Sequence, residues 1–235
     1  MKQRSYYYFF FLFLLSGSTL FSQEDEPSIR LARQLDSIAN EPAVSRHFAR
    51  LYTETVLLSL QHYQAWDPLH KDFIRRFEDS FAGYFFRAAM TNGKGDGAAA
   101  WNNYFSDSSR TPLQYQLLGI NAHINADLSA TLITTFTKEE LINHRKEFLR
   151  FQKALRTQFF RFYEVNIGAT RLTRIFGTLP FGLARNWGSA MMSGWRKRQF
   201  RIAITHFTNP EKSARLLRKT NRVKERTDRL ILRHL

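Results

Sequence analysis

Apolar residues recur along this chain at helical intervals. Phe148, Phe151, Leu155, Phe159 and Phe162 step by 3, 4, 4 and 3, with Arg150, Lys153, Arg156 and Arg161 between them. That spacing predicts one apolar stripe on a helix of about five turns. Leu216, Val223, Leu230 and Ile231 predict a second such stripe near the C-terminus, among Arg215, Arg218, Lys219, Arg222, Arg226 and Arg229. Helices are also predicted from Phe48 through Leu60 and from Phe73 through Met90, the latter carrying Phe77, Phe81, Tyr84 and Phe85. Strand signals are scarce: Thr131 to Thr135 is the one β-branched cluster, and it follows a helical run.

Breaks fall where turn chemistry puts them. Asp67-Pro68 ends one helix, because a residue before proline is biased away from the α region. Asn92 to Gly97 reads as a loop, and Pro112 is well placed to open the element that follows a short Trp101–Phe105 helix. Asn209-Pro210 with Glu211 opens the terminal helix. No period of repeat-protein length recurs. The pattern predicts an all-α, single-domain, multi-helix bundle.

The N-terminus has a different texture. Lys2 and Arg4 precede an unbroken apolar run from Tyr6 to Leu15, after which Ser16, Gly17, Ser18 and Thr19 relax the hydrophobicity. This is the layout of a secretory signal peptide over residues 1–22, with the helical domain spanning 23–235. A retained anchor is the alternative, although Tyr6 to Phe21 falls short of the roughly 20 residues a spanning helix needs. The expectation is an exported protein: periplasmic, associated with the outer envelope, or secreted.

Composition narrows the chemistry. With 43% hydrophobic and 15% aromatic residues in 235, the chain can build a core. It holds no cysteine, which excludes disulfides, a thiolate nucleophile and Cys-ligated zinc or iron–sulfur centres. Residues 1–140 hold 13 Lys and Arg against 15 Asp and Glu, whereas residues 141–235 hold 22 against 5. The C-terminal half is therefore strongly basic and suits an anionic lipid or another acidic envelope component. Nucleic acid is the weakest partner for an exported chain without a recognisable binding motif.

Candidate chemistry concentrates between Pro112 and Leu128. At 100° per residue, Leu117, Asn121, Ile124 and Leu128 share one helix face, and Gln116, Ile120, His123 and Asp127 another. Four polar groups within seven residues of an apolar helix imply partners, since a buried amide is costly unless hydrogen-bonded. Three readings stand. His123 and Asp127 can supply two ligands to a divalent metal, with Glu54, His62, His70 or Asp79 completing the set. Asp127 can instead orient His123 as a general acid or base. Or the group is a structural network, with Asn121 and Asn125 tying helices together and Asp127 capping the next helical segment.

Pro112-Leu113-Gln114, Gly119-Ile120-Asn121-Ala122-His123-Ile124-Asn125 and Asp127-Leu128 resemble the hallmark of an uncharacterised bacterial family of all-helical domains. Its motif reads Gly-x-Asn-Ala-His-Ile-Asn-x-Asp-Leu. Leu51, Tyr52, Glu54, Thr55, Phe77, Phe81, Tyr84, Trp101 and Phe105 resemble the flanking pattern, and Trp195 to Ala203 fits it loosely. The likeness covers residues 45–205 and implies a fold and a coherent motif, but no reaction. It also implies an acidic residue and an asparagine after the motif, where Phe148 and Gln152 stand here. His-x-x-x-Asp alone is similar to helices of zinc-dependent phospholipases C and nucleases, whose other histidines are not matched.

From Ile175 to Trp195 the one charged residue is Arg185, with Gly177, Gly182, Gly188, Gly194 and Pro180 interspersed. This reads as two short core helices about a Pro-kinked turn, or as an interfacial hairpin beside Arg196, Lys197, Arg198 and Arg201. His47, His62, His70, His144, His206 and His234 are scattered without ligand spacing and read as ordinary side chains. Triad-hydrolase and nucleotide-binding motifs are absent.

Two functions of different class follow. One is binding of an anionic or membrane-associated ligand at the cell envelope, using Asn121, Asn125, Gln116 and Glu54, with Arg196, Lys197, Arg198 and Arg201 as anion or membrane contacts. The other is a metal-dependent hydrolase, of phosphoesters for example, with His123 and Asp127 as metal ligands and catalytic groups.

Overall fold

A computed structural model describes the backbone of residues 27–95, 98–166 and 181–234; the side chains of 156–193 are outside that description. The expected signal peptide over residues 1–22 and the expected turn at 175–180 likewise lie outside the described residues. Every regular element described is helical. The elements are α1 (Pro27–Asn40), α2 (Arg46–Tyr63), α3 (Pro68–Met90), a 3₁₀ turn (Ala99–Trp101), α4 (Asn102–Phe105), α5 (Pro112–Ala122), a π-helical turn (His123–Asp127), α6 (Leu128–Thr135), α7 (Lys138–Asn143), α8 (Arg145–Asn166), α9 (Phe181–Thr208) and α10 (Pro210–His234). The expected all-α architecture is what the chain forms.

Local chemistry accounts for the boundaries. Asp67 caps α3, its side chain accepting from the His70 N–H, with Pro68 at the first position. Thr111 and Gln114 form a reciprocal capping box at α5, and Thr137 and Glu140 repeat it at α7. The chain leaves α3 through Asn92 and Gly93 in the left-handed region; a Cβ on Gly93 would also press on the Phe105 ring. The threonine-rich stretch after the motif stays helical, with Thr131 Oγ1 bonding back to the Asp127 carbonyl.

Two helical expectations need correction. The second of the two short helices expected about Pro180 is not short: Phe181–Thr208 is one continuous helix of 28 residues that includes Gly182, Gly188 and Gly194. In α10 the buried row is Ser213, Thr220, Lys224, Asp228 and Ile231, while Leu230 of the predicted apolar stripe is 58% exposed. Polar residues win that face because Lys224 and Asp228 neutralise each other and answer polar groups on other helices, as described below. Two helices escaped the sequence reading: the short α7, and α1, which buries Leu31, Leu35 and Ala39 at helical spacing.

The core has two parts. One gathers α1, α2 and the C-terminal half of α3 around Phe48, Phe85, Trp101, Tyr104, Tyr115 and Leu118. The other gathers Phe73, Phe77, Leu128, Leu132, Phe148, Phe151 and Phe200. Phe81 and Ile120 pack against both. The π-helical turn lies at this seam, touching α9 and α10 as well as α3.

Candidate functional site

The central segment is an α-helix only as far as Ala122. Through His123–Asp127 it widens to a π-helical turn, in which the Leu128 N–H bonds to the His123 carbonyl five residues back. Asn121, His123, Asn125 and Asp127 are all buried, at 4% exposure or less. Their side chains are therefore obliged to find partners within the protein.

His123 and Asp127 are each other's partners. Nδ1 of His123 lies 3.0 Å from Asp127 Oδ2, and the same oxygen accepts from the Trp101 indole N–H at 3.0 Å. Donation by both groups to one carboxylate oxygen places the imidazole proton on Nδ1 and leaves Nε2 as a lone pair. The ring is caged by aromatic groups: Phe81 stacks on it with centroids 3.5 Å apart, and Tyr52 meets it edge-on at 4.8 Å. Phe48 and Trp101 close the cage at 5.5 and 6.0 Å. Burial pushes the His123 imidazole below its usual pKa range, opposed by Asp127, and the Arg196 charge lowers it further. Burial likewise raises the Asp127 carboxyl, against the hydrogen bonds from His123 and Trp101 and the charge of Arg87.

The asparagines hold helices together. Asn121 Nδ2 donates to the Lys224 carbonyl at 2.9 Å and to Asp228 Oδ1 at 2.6 Å, fastening α5 to α10. Asp228 Oδ2 in turn takes the Lys224 ammonium and the Asn103 amide, each at 2.8 Å. Asn125 Nδ2 donates to Asn121 Oδ1 at 2.7 Å, and the Asn125 carbonyl accepts from Gln199 Nε2 of α9 at 3.0 Å. The capping role expected of the Asp127 side chain is not made, because Trp101 and His123 take that carboxylate.

Several buried polar atoms remain without a hydrogen-bond partner here: His123 Nε2, the Tyr52 hydroxyl, Asn125 Oδ1, Ser129 Oγ and Gln199 Oε1. Burial, then the carboxylates of Glu78, Asp127 and Asp79, hold the Tyr52 hydroxyl well above its usual pKa, so it stays protonated. Arg196, half-buried on α9 one turn before Phe200, has its guanidinium pulled down to about 10 by loss of solvent and keeps its charge at neutral pH. Tyr52 is the site residue that sequence reasoning left in a family pattern; its only signal was its place one turn from Phe48 on α2.

The other expected site residues are dispersed. Gln116 is half-buried on α5, and Glu54 is exposed on α2. Lys197 and Arg201 are exposed one turn apart on α9, with Arg198 half-buried between them. His62 and Asp79 are exposed. No group of three ligand-bearing side chains among the described residues includes His123. The scattered-histidine expectation fails at one pair: His70 and His144, 74 residues apart, bring their Nδ1 atoms to 3.1 Å. Phe148 fills the second core, and Gln152 is buried near it. A second polar cluster escaped the sequence reading, in which buried Glu78 accepts from Tyr63 at 2.7 Å and from Ser28 at 3.2 Å, and bonds Ser59.

No curated protein and no solved structure matches the chain. A family model does, and it reaches well beyond the motif into α1 at one end and α10 at the other, the two helices that the 45–205 likeness left out. It matches residues 28–234, and on that span the chain belongs to DUF5995, a family of unknown function.

Proposed function

We propose that this protein binds a small anionic ligand in an occluded site around His123, at the cell envelope to which its N-terminal segment would direct it. The observation that supports this reading is the pairing of two buried, unpartnered atoms, the Tyr52 hydroxyl and His123 Nε2, on rings 4.8 Å apart, with the positive charge of Arg196 acting on the imidazole. Leaving such atoms unsatisfied is costly, and a ligand would relieve that cost. The phenol and the guanidinium donate, whereas Nε2 accepts. A ligand that matches carries negative oxygens and one protonated oxygen, as a phosphate monoanion or phosphomonoester does. Exposed Lys197 and Arg201 would draw such an anion, or the headgroup bearing it, towards α9.

Thermal shift and calorimetry with inorganic phosphate, glycerol phosphate and anionic vesicles test the proposal. Binding should raise the midpoint in proportion to ligand saturation. Arg196→Met and Tyr52→Phe should abolish the shift. Tyr52→Phe should raise the unliganded midpoint, because the hydroxyl makes no bond to lose and its burial is costly. Vesicle binding without a response to free phosphate would locate the ligand in lipid. Unchanged phosphate and vesicle binding in Arg196→Met would refute the reading.

A second reading, metal-dependent hydrolysis on the same helix, is favoured by one feature. A carboxylate on Nδ1 is the support that readies the opposite nitrogen for a metal or a proton. It requires a metal in the purified protein that disappears in His123→Ala.

A further inference from the structure

At the far end of the second core from the aromatic cage, three segments distant in sequence converge. Asp67 caps α3 through Oδ1, which accepts from the His70 N–H at 3.1 Å, and its Oδ2 stands 3.5 Å from His70 Nε2. His144 closes α7, its ring stacked on Phe73 with centroids 4.6 Å apart and planes 14° from parallel. Glu147, in the first turn of α8, places Oε1 at 3.4 Å from His70 Nε2. The two imidazoles meet Nδ1 to Nδ1 at 3.1 Å. One ligand atom from each of His70, His144 and Glu147 can be chosen with all three inside 4.8 Å.

We propose that His70, His144 and Glu147 bind a divalent metal ion of the zinc class, with an open coordination position facing the hollow beside Trp66 and Arg150. Two nitrogens bonded to one tetrahedral zinc at about 2.0–2.1 Å stand roughly 3.3 Å apart, close to the separation found. Without a metal the two Nδ1 atoms share a proton; with one, that proton leaves and both lone pairs point at the ion. Asp67 Oδ2 then accepts the Nε2–H of His70, the carboxylate that fixes a ligating imidazole. Glu147 supplies the third ligand by a small side-chain adjustment.

Three protein ligands leave a fourth position, as in zinc sites that bind exchangeable water or substrate. The adjoining hollow has a volume of about 360 Å³, and His70, Glu147, Asp67, Trp66 and Arg150 all line it. The Trp66 indole N–H is buried there without a partner, and the Arg150 guanidinium lies 4.7 Å over the Trp66 ring. Two donors beside an open metal position suit an oxyanion. This centre shares no residue with the His123 site and stands or falls separately from it.

Cobalt(II) titration of the tag-free full chain, followed by zinc competition, tests the proposal. One equivalent should bind with the visible absorption of a low-coordinate nitrogen and oxygen site, and zinc should displace it. His70→Gln, at a side chain 31% exposed, should weaken binding at least tenfold while circular dichroism and the melting midpoint hold. Glu147→Gln should do the same, and Asp67→Asn should cost about tenfold or more. His123→Gln should leave binding untouched. Absence of cobalt binding by the folded wild type, or wild-type affinity in a folded His70→Gln variant, would overturn the assignment.

Discussion

Gly119 opens the motif, and its replacement by alanine gives the sharpest reading of how the site is held. A Cβ there would lie on the Phe48 ring, 2.7 Å from Cγ and 3.1 Å from Cβ. Phe48 cannot swing aside: it is 3% exposed and wedged between Phe85 and Trp101, with centroids 5.0 and 5.2 Å away, and edge-on to His123. The added methyl must therefore push α2 away from α5. Overpacking of this kind costs about 1–3 kcal/mol, and rigid aromatic walls favour the upper end. Alanine recovers about 1 kcal/mol of helix propensity, leaving a net loss of roughly 2 kcal/mol. For a chain of this length that is a fall in Tm of about 4–8 °C. Gly83→Ala is the internal control, since a Cβ at Gly83 meets only the mobile tip of Arg87 at 3.5 Å. That variant should gain about 0.5–1 kcal/mol. Calorimetry with urea titration measures both. A Gly119→Ala protein as stable as Gly83→Ala would refute the close approach of the two helices and the aromatic cage built on it.

Asp228→Ala should destabilise the protein by about 3 kcal/mol, because it leaves the Lys224 ammonium, itself 3% exposed, with only the exposed Glu225 carboxylate at 3.2 Å. Adding Lys224→Met to Asp228→Asn, which keeps an acceptor for Asn121, should recover more than half of that loss. A single Asp228→Ala change costing under about 1 kcal/mol would contradict the buried pair. The pH dependence has a defined sign. Burial holds His123 below its ordinary pKa of about 6.5, so stability from its neutral form is complete above that value and is lost as pH falls through the lower folded value. Asp127 is shifted upward, so its contribution runs the other way and blunts the decline at the acid end. Urea midpoints between about pH 7 and pH 5 should therefore fall more steeply for wild type than for His123→Gln, and equal slopes would sink the assignment.

The sequence was readable where burial follows an apolar period and silent where it follows pairing. Phe148, Phe151 and Leu155 announced the inward face of α8, and all three are buried. On α10 the apolar period pointed inward only in part: Ile231 is buried, Leu230 is exposed, and polar residues fill the rest of the inward row. Nothing in the sequence marks Lys224 and Asp228, four residues apart on a charged helix, as buried; Asn121 and Asn103, more than 100 residues earlier, help to make that burial tolerable. Nor does a π-helical turn have a residue signature; it is defined by a hydrogen bond one residue longer than usual. His70 and His144 show the same limit, because their meeting depends on how the start of α3 packs against the junction of α7 and α8.

The motif becomes intelligible once each side chain is assigned its tie. Gly119 lets α2 approach, so that Phe48 and Tyr52 wall in the imidazole. Asn121 fastens α10, and Asn125 braces Asn121 while its carbonyl takes Gln199 of α9. Asp127 links Trp101 to His123. Each of these groups has a structural task that would by itself justify its residue type. His123 differs: its Nδ1 is spent on Asp127, yet a phenylalanine would fill the aromatic cage without leaving a buried lone pair. The cost of keeping Nε2 there, set opposite a tyrosine whose hydroxyl is equally unpaired, is not offset by anything in the packing. An atom that weakens the fold and is nonetheless held so rigidly is where a ligand is to be sought, and Tyr52→Phe, which breaks no hydrogen bond, should raise stability while removing whatever the pair binds.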